Sequence, residues 1–200
     1  MSSGITLAVV GTGDDHNASS STDEPSVWQD TRTYPDDAQN SESTPSPSPV
    51  AKSYGMGEKA KNGGATVVVK KVSESATLAI DRYGEAKTLK AGTGAKYVVV
   101  ETTVYNDGTA SFDPVCGGGI SRGLVDADGR TFDATQDQYM VRGNDKACGG
   151  EEMQPGFKQD AVFVYKLPAE AIPAQWAFSG TRENIEDEPA VVKIASTSTS

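Results

Sequence analysis

Lys96–Asn106 reads KYVVVETTVYN, and its alternation decides the fold class. Val98, Val100, Thr102 and Val104 fall on one side of an extended chain, with Val99, Glu101, Thr103 and Tyr105 on the other. A period of two, built from β-branched residues, is what a strand needs when one face looks inward and one outward. The stretch ends at Asn106-Asp107-Gly108, a turn signal because Asn and Gly tolerate positive φ.

The same period continues on both sides of it. Thr66–Ser73 (TVVVKKVS) opens the domain, and Ala76–Tyr83 (ATLAIDRY) is its expected partner, although its length also permits a turn of helix. Ile120–Val125 and Arg130–Asp133 flank Asp126-Ala127-Asp128-Gly129 and read as a hairpin. The turn Pro155-Gly156 leads into Gln159–Leu167, where Ala161, Phe163, Tyr165 and Leu167 share a face and Pro168 ends the run. Gln175–Phe178 puts Trp176 and Phe178 on one side, and Ala190–Ile194 closes the series. No amphipathic helix of about ten residues is visible, so roughly seven to nine strands predict an all-β antiparallel sandwich over 51–195, with a closed barrel as the alternative.

Composition separates this domain from what precedes it. Residues 14–49 hold eight acidic side chains against Arg32, and close on TPSPSP (Thr44–Pro49). That stretch carries −7 of the net charge of −10, and the rest of the chain is close to balanced. A segment whose sizeable apolar groups are Val27, Trp28 and Tyr34 cannot offset the entropy of ordering its backbone, about 1–2 kcal/mol per residue. Residues 11–50 therefore read as a disordered acidic Ser/Thr/Pro-rich spacer, and 196–200 as a disordered tail. Ile5–Val10 (ITLAVV) is too short to span a bilayer, which takes about 20 residues. Either it has no role, or residues 1–10 are the remnant of a longer signal or membrane segment that begins upstream of Met1 and tethers the chain. Phosphate binding needs a basic face. Lys59, Lys61, Lys70 and Lys71 are the only dense lysines and read as a solvated strand edge, so no nucleic acid is expected.

Cys116 and Cys148 are the two cysteines, too far apart in sequence for a redox CxxC or a zinc ribbon. Each precedes glycines (Gly117–Gly119, and Gly149 with Gly150), which let two backbones approach closely enough for a disulfide. Two separate buried thiols are the alternative. A disulfide implies an oxidising compartment and an extracytoplasmic chain, secreted or anchored at the cell envelope. It also makes the patternless stretch 134–153 tolerable as a loop. Within that stretch Tyr139, Met140 and Arg142 are the candidate partner-binding residues, since Tyr and Arg are enriched at interface hot spots. The bland alternative is a solvated connection with Met140 tucked onto the sandwich.

No catalytic constellation or cofactor motif is legible. The one histidine, His16, lies in the spacer, so a Ser-His-Asp or Cys-His arrangement has no base. A blue-copper centre fails for the same count. A carboxylate pair of the glycosidase type leaves no mark in spacing, and no aromatic cleft accompanies one. Asp126 and Asp128 resemble the start of a calcium loop, but the twelfth position is Asp137 rather than Glu and the intervening Arg130-Thr131-Phe132 looks like strand. A hairpin turn is the preferred reading, with a calcium-dependent binding module as the alternative. The expectation is a monomeric, non-enzymatic binding, adhesion or scaffolding module whose partner is a protein or other envelope ligand.

The succession GAKYVVVETTVYNDG, GLVDADGRTFD and MQPGFKQDAVFVYKLP resembles a bacterial domain-of-unknown-function family common in predicted lipoproteins. That family shares the immunoglobulin-like fold of the mycobacterial immunoprotective extracellular proteins. The resemblance covers about residues 54–195 and implies an immunoglobulin-like sandwich outside the cytoplasm, without catalytic residues. This chain lacks the anchoring cysteine of the lipoproteins.

Overall fold

In the computed structural model the described residues are 51–82, 84–117, 120–144, 147–149, 151–181 and 188–194. The chain divides into two units, Met1–Pro45 and Ser46–Ser200, and the first lies outside these residues. So do the expected signal remnant (1–10), the spacer (11–50) with His16, and the tail (196–200).

Eleven strands occur among the described residues. They are β1 (Ser53–Tyr54), β2 (Ala60–Asn62), β3 (Ala65–Ser75), β4 (Thr77–Arg82), β5 (Glu85–Lys90), β6 (Ala95–Asn106), β7 (Ile120–Asp126), β8 (Thr131–Asp133), β9 (Lys158–Pro168), β10 (Pro173–Thr181) and β11 (Ala190–Lys193). One sheet has the order β2-β3-β6-β9, a second β1-β11-β10-β7-β8, and β4 and β5 form a separate hairpin. Pairing is antiparallel except for two residue pairs between β1 and β11.

The inward faces meet as the alternation predicts. Val98, Val100 and Val104 of β6, Ala161, Phe163, Tyr165 and Leu167 of β9, and Leu124, Trp176 and Phe178 of the second sheet form one buried cluster. Trp176 stacks between Phe163 and Phe178, with ring centroids 5.4 and 5.5 Å away. Its indole N–H donates to the Tyr165 hydroxyl at 2.6 Å. Burial raises the Tyr165 phenol above the usual tyrosine range, against the opposing pull of that hydrogen bond and of Arg122.

Two expectations need correction. Thr77–Arg82 does not pair with β3; it turns back onto Glu85–Lys90, a strand whose polar EAKTLK sequence gave no signal. The shared face of β9 holds, and Val162 and Val164 on its other side are buried as well, under a second cluster with Leu78, Ile80, Tyr97 and Val141. The Asn106 turn does not work through positive φ, since neither Asn106 nor Gly108 adopts it. Instead the Asn106 side chain is fully buried, accepts the Gly108 N–H and donates to the Ala110 and Met153 carbonyls.

Candidate functional site

Part of the stretch that reads as a patternless loop, at Met140 and Val141, packs on the outer face of β9. Gln136–Met140 forms one 3₁₀ turn, and Val141 makes an isolated bridge with Ile80 of the hairpin. Asn144 is 1% exposed and makes three hydrogen bonds. Its Nδ2 donates to the Gln138 and Val162 carbonyls at 2.7 Å each, and its Oδ1 accepts the Val162 N–H at 2.8 Å. The Thr135 N–H donates to the Val164 carbonyl at 2.7 Å. One side-chain amide and one peptide group thus stand where a neighbouring strand would bond, on an edge that would otherwise be open. Gly143 lets the chain reach that edge: its φ is +97°, and a Cβ there would lie 3.0 Å from Val162 Cγ2.

This packing sorts the three candidate partner-binding residues. Tyr139 is 45% exposed and Arg142 is exposed. Met140 is half-buried and packs against the cluster of Leu78, Ile80 and Val141. Tyr139 and Arg142 therefore present the outward surface, with Met140 as part of their footing.

The Asp126–Gly129 turn has a different economy. Asp126 is 3% exposed, and its Oδ1 accepts the N–H groups of Asp128 and Arg130 at 3.0 and 2.8 Å. Its Oδ2 accepts Arg130 Nε at 2.7 Å, and Arg130 also reaches Asp128 at 3.1 Å. Burial alone would raise the Asp126 carboxyl, but the backbone and guanidinium donors of Arg130 and the Asp128 N–H outweigh it and hold the group below its ordinary range. The Arg130 guanidinium thus offsets part of the negative charge of Asp126 and Asp128.

Cys116 and Cys148 are joined in a disulfide, with their Cα atoms 5.4 Å apart. Asp113 is the third ligand-type group within 4.8 Å of the sulfurs. The lysines are dispersed: Lys70 pairs with Asp160 at 2.9 Å and Lys71 with Glu101 at 3.2 Å, while Lys59 lies over the Tyr105 ring. Sequence reasoning missed the buried amides. Asn62 links the two sheets, donating to the Glu188 carbonyl and accepting the Gly180 N–H. Nothing in its local sequence marks it, nor Asn144, as anything but a loop-type residue.

No protein-family model matches the chain, and no curated protein does. Solved structures do. An uncharacterized β-sandwich protein from Clostridium difficile 630 superposes with a TM-score of 0.50 at 12% identity, covering 73% of this chain and 95% of that one. A conserved hypothetical protein from Bacillus anthracis gives 0.45 at 17% identity, over 70% and 95% of the two chains. The secreted protein MPT63 from Mycobacterium tuberculosis gives 0.46 at 12%, over 72% and 98%. The first of these establishes the β-sandwich fold; at such identities likeness extends no further.

Proposed function

We propose that this chain is an exported, non-enzymatic module of immunoglobulin-like architecture that recognises a partner through its 136–144 loop. The observation that carries this reading is the way the loop is held. Tyr139 stands exposed on a turn anchored at one side by Thr135 and at the other by Val141 and Asn144. A side chain presented on an immobilised loop loses little freedom on binding, and Tyr and Arg are the residue types that most often dominate interfaces. Export is supported by the disulfide, a bond that persists in oxidising compartments. The acidic Ser/Thr/Pro-rich stretch at 11–50 suits a spacer that stands a domain off a surface.

The test is capture of envelope components by cross-linking, comparing the parent with a Tyr139→Ala/Arg142→Ala double variant. Point substitutions are the right tool, because excising the loop would uncover Val162 and Val164. Recovery should fall at least about tenfold in the double variant, as expected when hot-spot side chains are truncated. Equal recovery from both proteins would contradict the proposal.

A further inference from the structure

We propose that Asp113 is the positioning residue for the Cys116–Cys148 bridge: its carboxylate gathers the two cysteine backbones before the sulfurs bond, so that the bridge seals a site already assembled. Asp113 Oδ1 accepts the N–H groups of Val115 and Cys116 at 2.8 Å each. Its Oδ2 accepts the N–H of Cys148 at 2.6 Å, across 35 positions of sequence. One carboxylate therefore takes a charge-assisted hydrogen bond from the backbone of each cysteine, the strong kind of contact.

The surroundings hold that carboxylate in place without help from the sulfurs. Beside it, Phe112 and Met153 exchange backbone hydrogen bonds at 3.2 and 2.9 Å, and both side chains are buried. From the core side, the Arg122 guanidinium lies 4.6 Å from the Phe163 ring centre. It donates to the Val115 carbonyl at 2.7 Å and to the Ile120 carbonyl at 2.8 Å, tying the Asp113 loop to β7. Burial works against the Arg122 charge, while Tyr165 and Asp113 favour it. Cys148 is also the one non-glycine residue with positive φ among those described, at 60°. A residue in that region is held there by its contacts, and the Asp113 oxygen is the contact its N–H makes.

The three ligand-type atoms lie close enough to suggest a metal group, but both Asp113 oxygens are taken by N–H donors. Their geometry serves the backbone. Bridge formation then needs only an external disulfide, RSSR. One cysteine thiolate attacks it and releases RS⁻; the second attacks the resulting mixed disulfide and releases another, so two thiols are oxidised and RSSR is reduced to two RSH. The two thiol protons end on the two RSH, and Asp113 is unchanged. Its contribution is a high effective concentration of the second thiol.

The test separates cause from consequence. In a Cys116→Ser/Cys148→Ser chain no bridge exists, yet the amides at positions 116 and 148 should stay protected from hydrogen exchange by at least about tenfold. Adding Asp113→Ala should release these two amides while those of β6 and β9 remain protected. Free exchange at 116 and 148 with Asp113 intact would overturn the proposal, because the bridge would then be holding the carboxylate. In the cysteine-containing chain, equilibrium against oxidised and reduced glutathione should shift toward thiols by at least about tenfold in Asp113→Ala. Asp113→Asn, which keeps one acceptor oxygen, should fall between. Equal constants for the parent and Asp113→Ala would also overturn it.

Discussion

Asn144 places a donor and an acceptor against the backbone of Val162 in β9, and among the described residues no other side chain bonds the Val162 N–H or carbonyl. Asn144→Ala leaves both groups buried without partners, a change that costs about 2–3 kcal/mol. Urea unfolding should report that loss, together with faster exchange of the Val162 amide; a midpoint within error of the parent would contradict the role. Asp126 makes the second prediction at this scale. Its carboxyl is held below the ordinary range when folded, so it contributes stability above the unfolded value near 3.9, and that contribution is lost as pH falls through the folded value. Asp126→Asn should therefore be less stable than the parent at pH 7, with the gap closing in acid. Because Asp126 is satisfied by Arg130, millimolar calcium should leave the parent's melting midpoint unmoved; a rise would reinstate the turn as a cation site.

The β4–β5 hairpin is a structural element rather than an appendage, since Leu78 and Ile80 cover Val162 and Val164 on the outer side of the first sheet. Ile80→Ala should cost about 2–5 kcal/mol in chemical denaturation, the range for a buried aliphatic side chain. An exposed hairpin would lose about 0.5 kcal/mol or less, and that result would contradict the packing. The hairpin also shows where legibility ended. β6 and β9 were readable because their inward residues alternate strictly and pack against aromatic partners. β5 was not, because EAKTLK is exposed or half-exposed throughout and its strand character comes from pairing with β4. The second buried face of β9 was hidden because Val162 and Val164 owe their burial to segments distant in sequence. The same holds for the candidate loop: Tyr139 and Arg142 were legible as residue types, while Asn144, which fixes their presentation, looks like any loop polar residue.

At the scale of the whole domain, the two sheets share one aromatic core, and one covalent bond between the turns that hold Cys116 and Cys148 spans 32 positions. Closing a loop of that length stabilises by about 3–4 kcal/mol on the chain-entropy model. Cys116→Ser/Cys148→Ser should lose about that much in equilibrium unfolding while keeping its β-sheet circular dichroism. A helical spectrum would contradict the fold outright. The reading of an exported module needs more, namely that the bond exists where the protein works. The direct measurement is alkylation of the protein taken from its native location, with mass determination before and after reduction. No labelled cysteine before reduction and two after it is the expected result; two labelled cysteines before reduction would contradict the account.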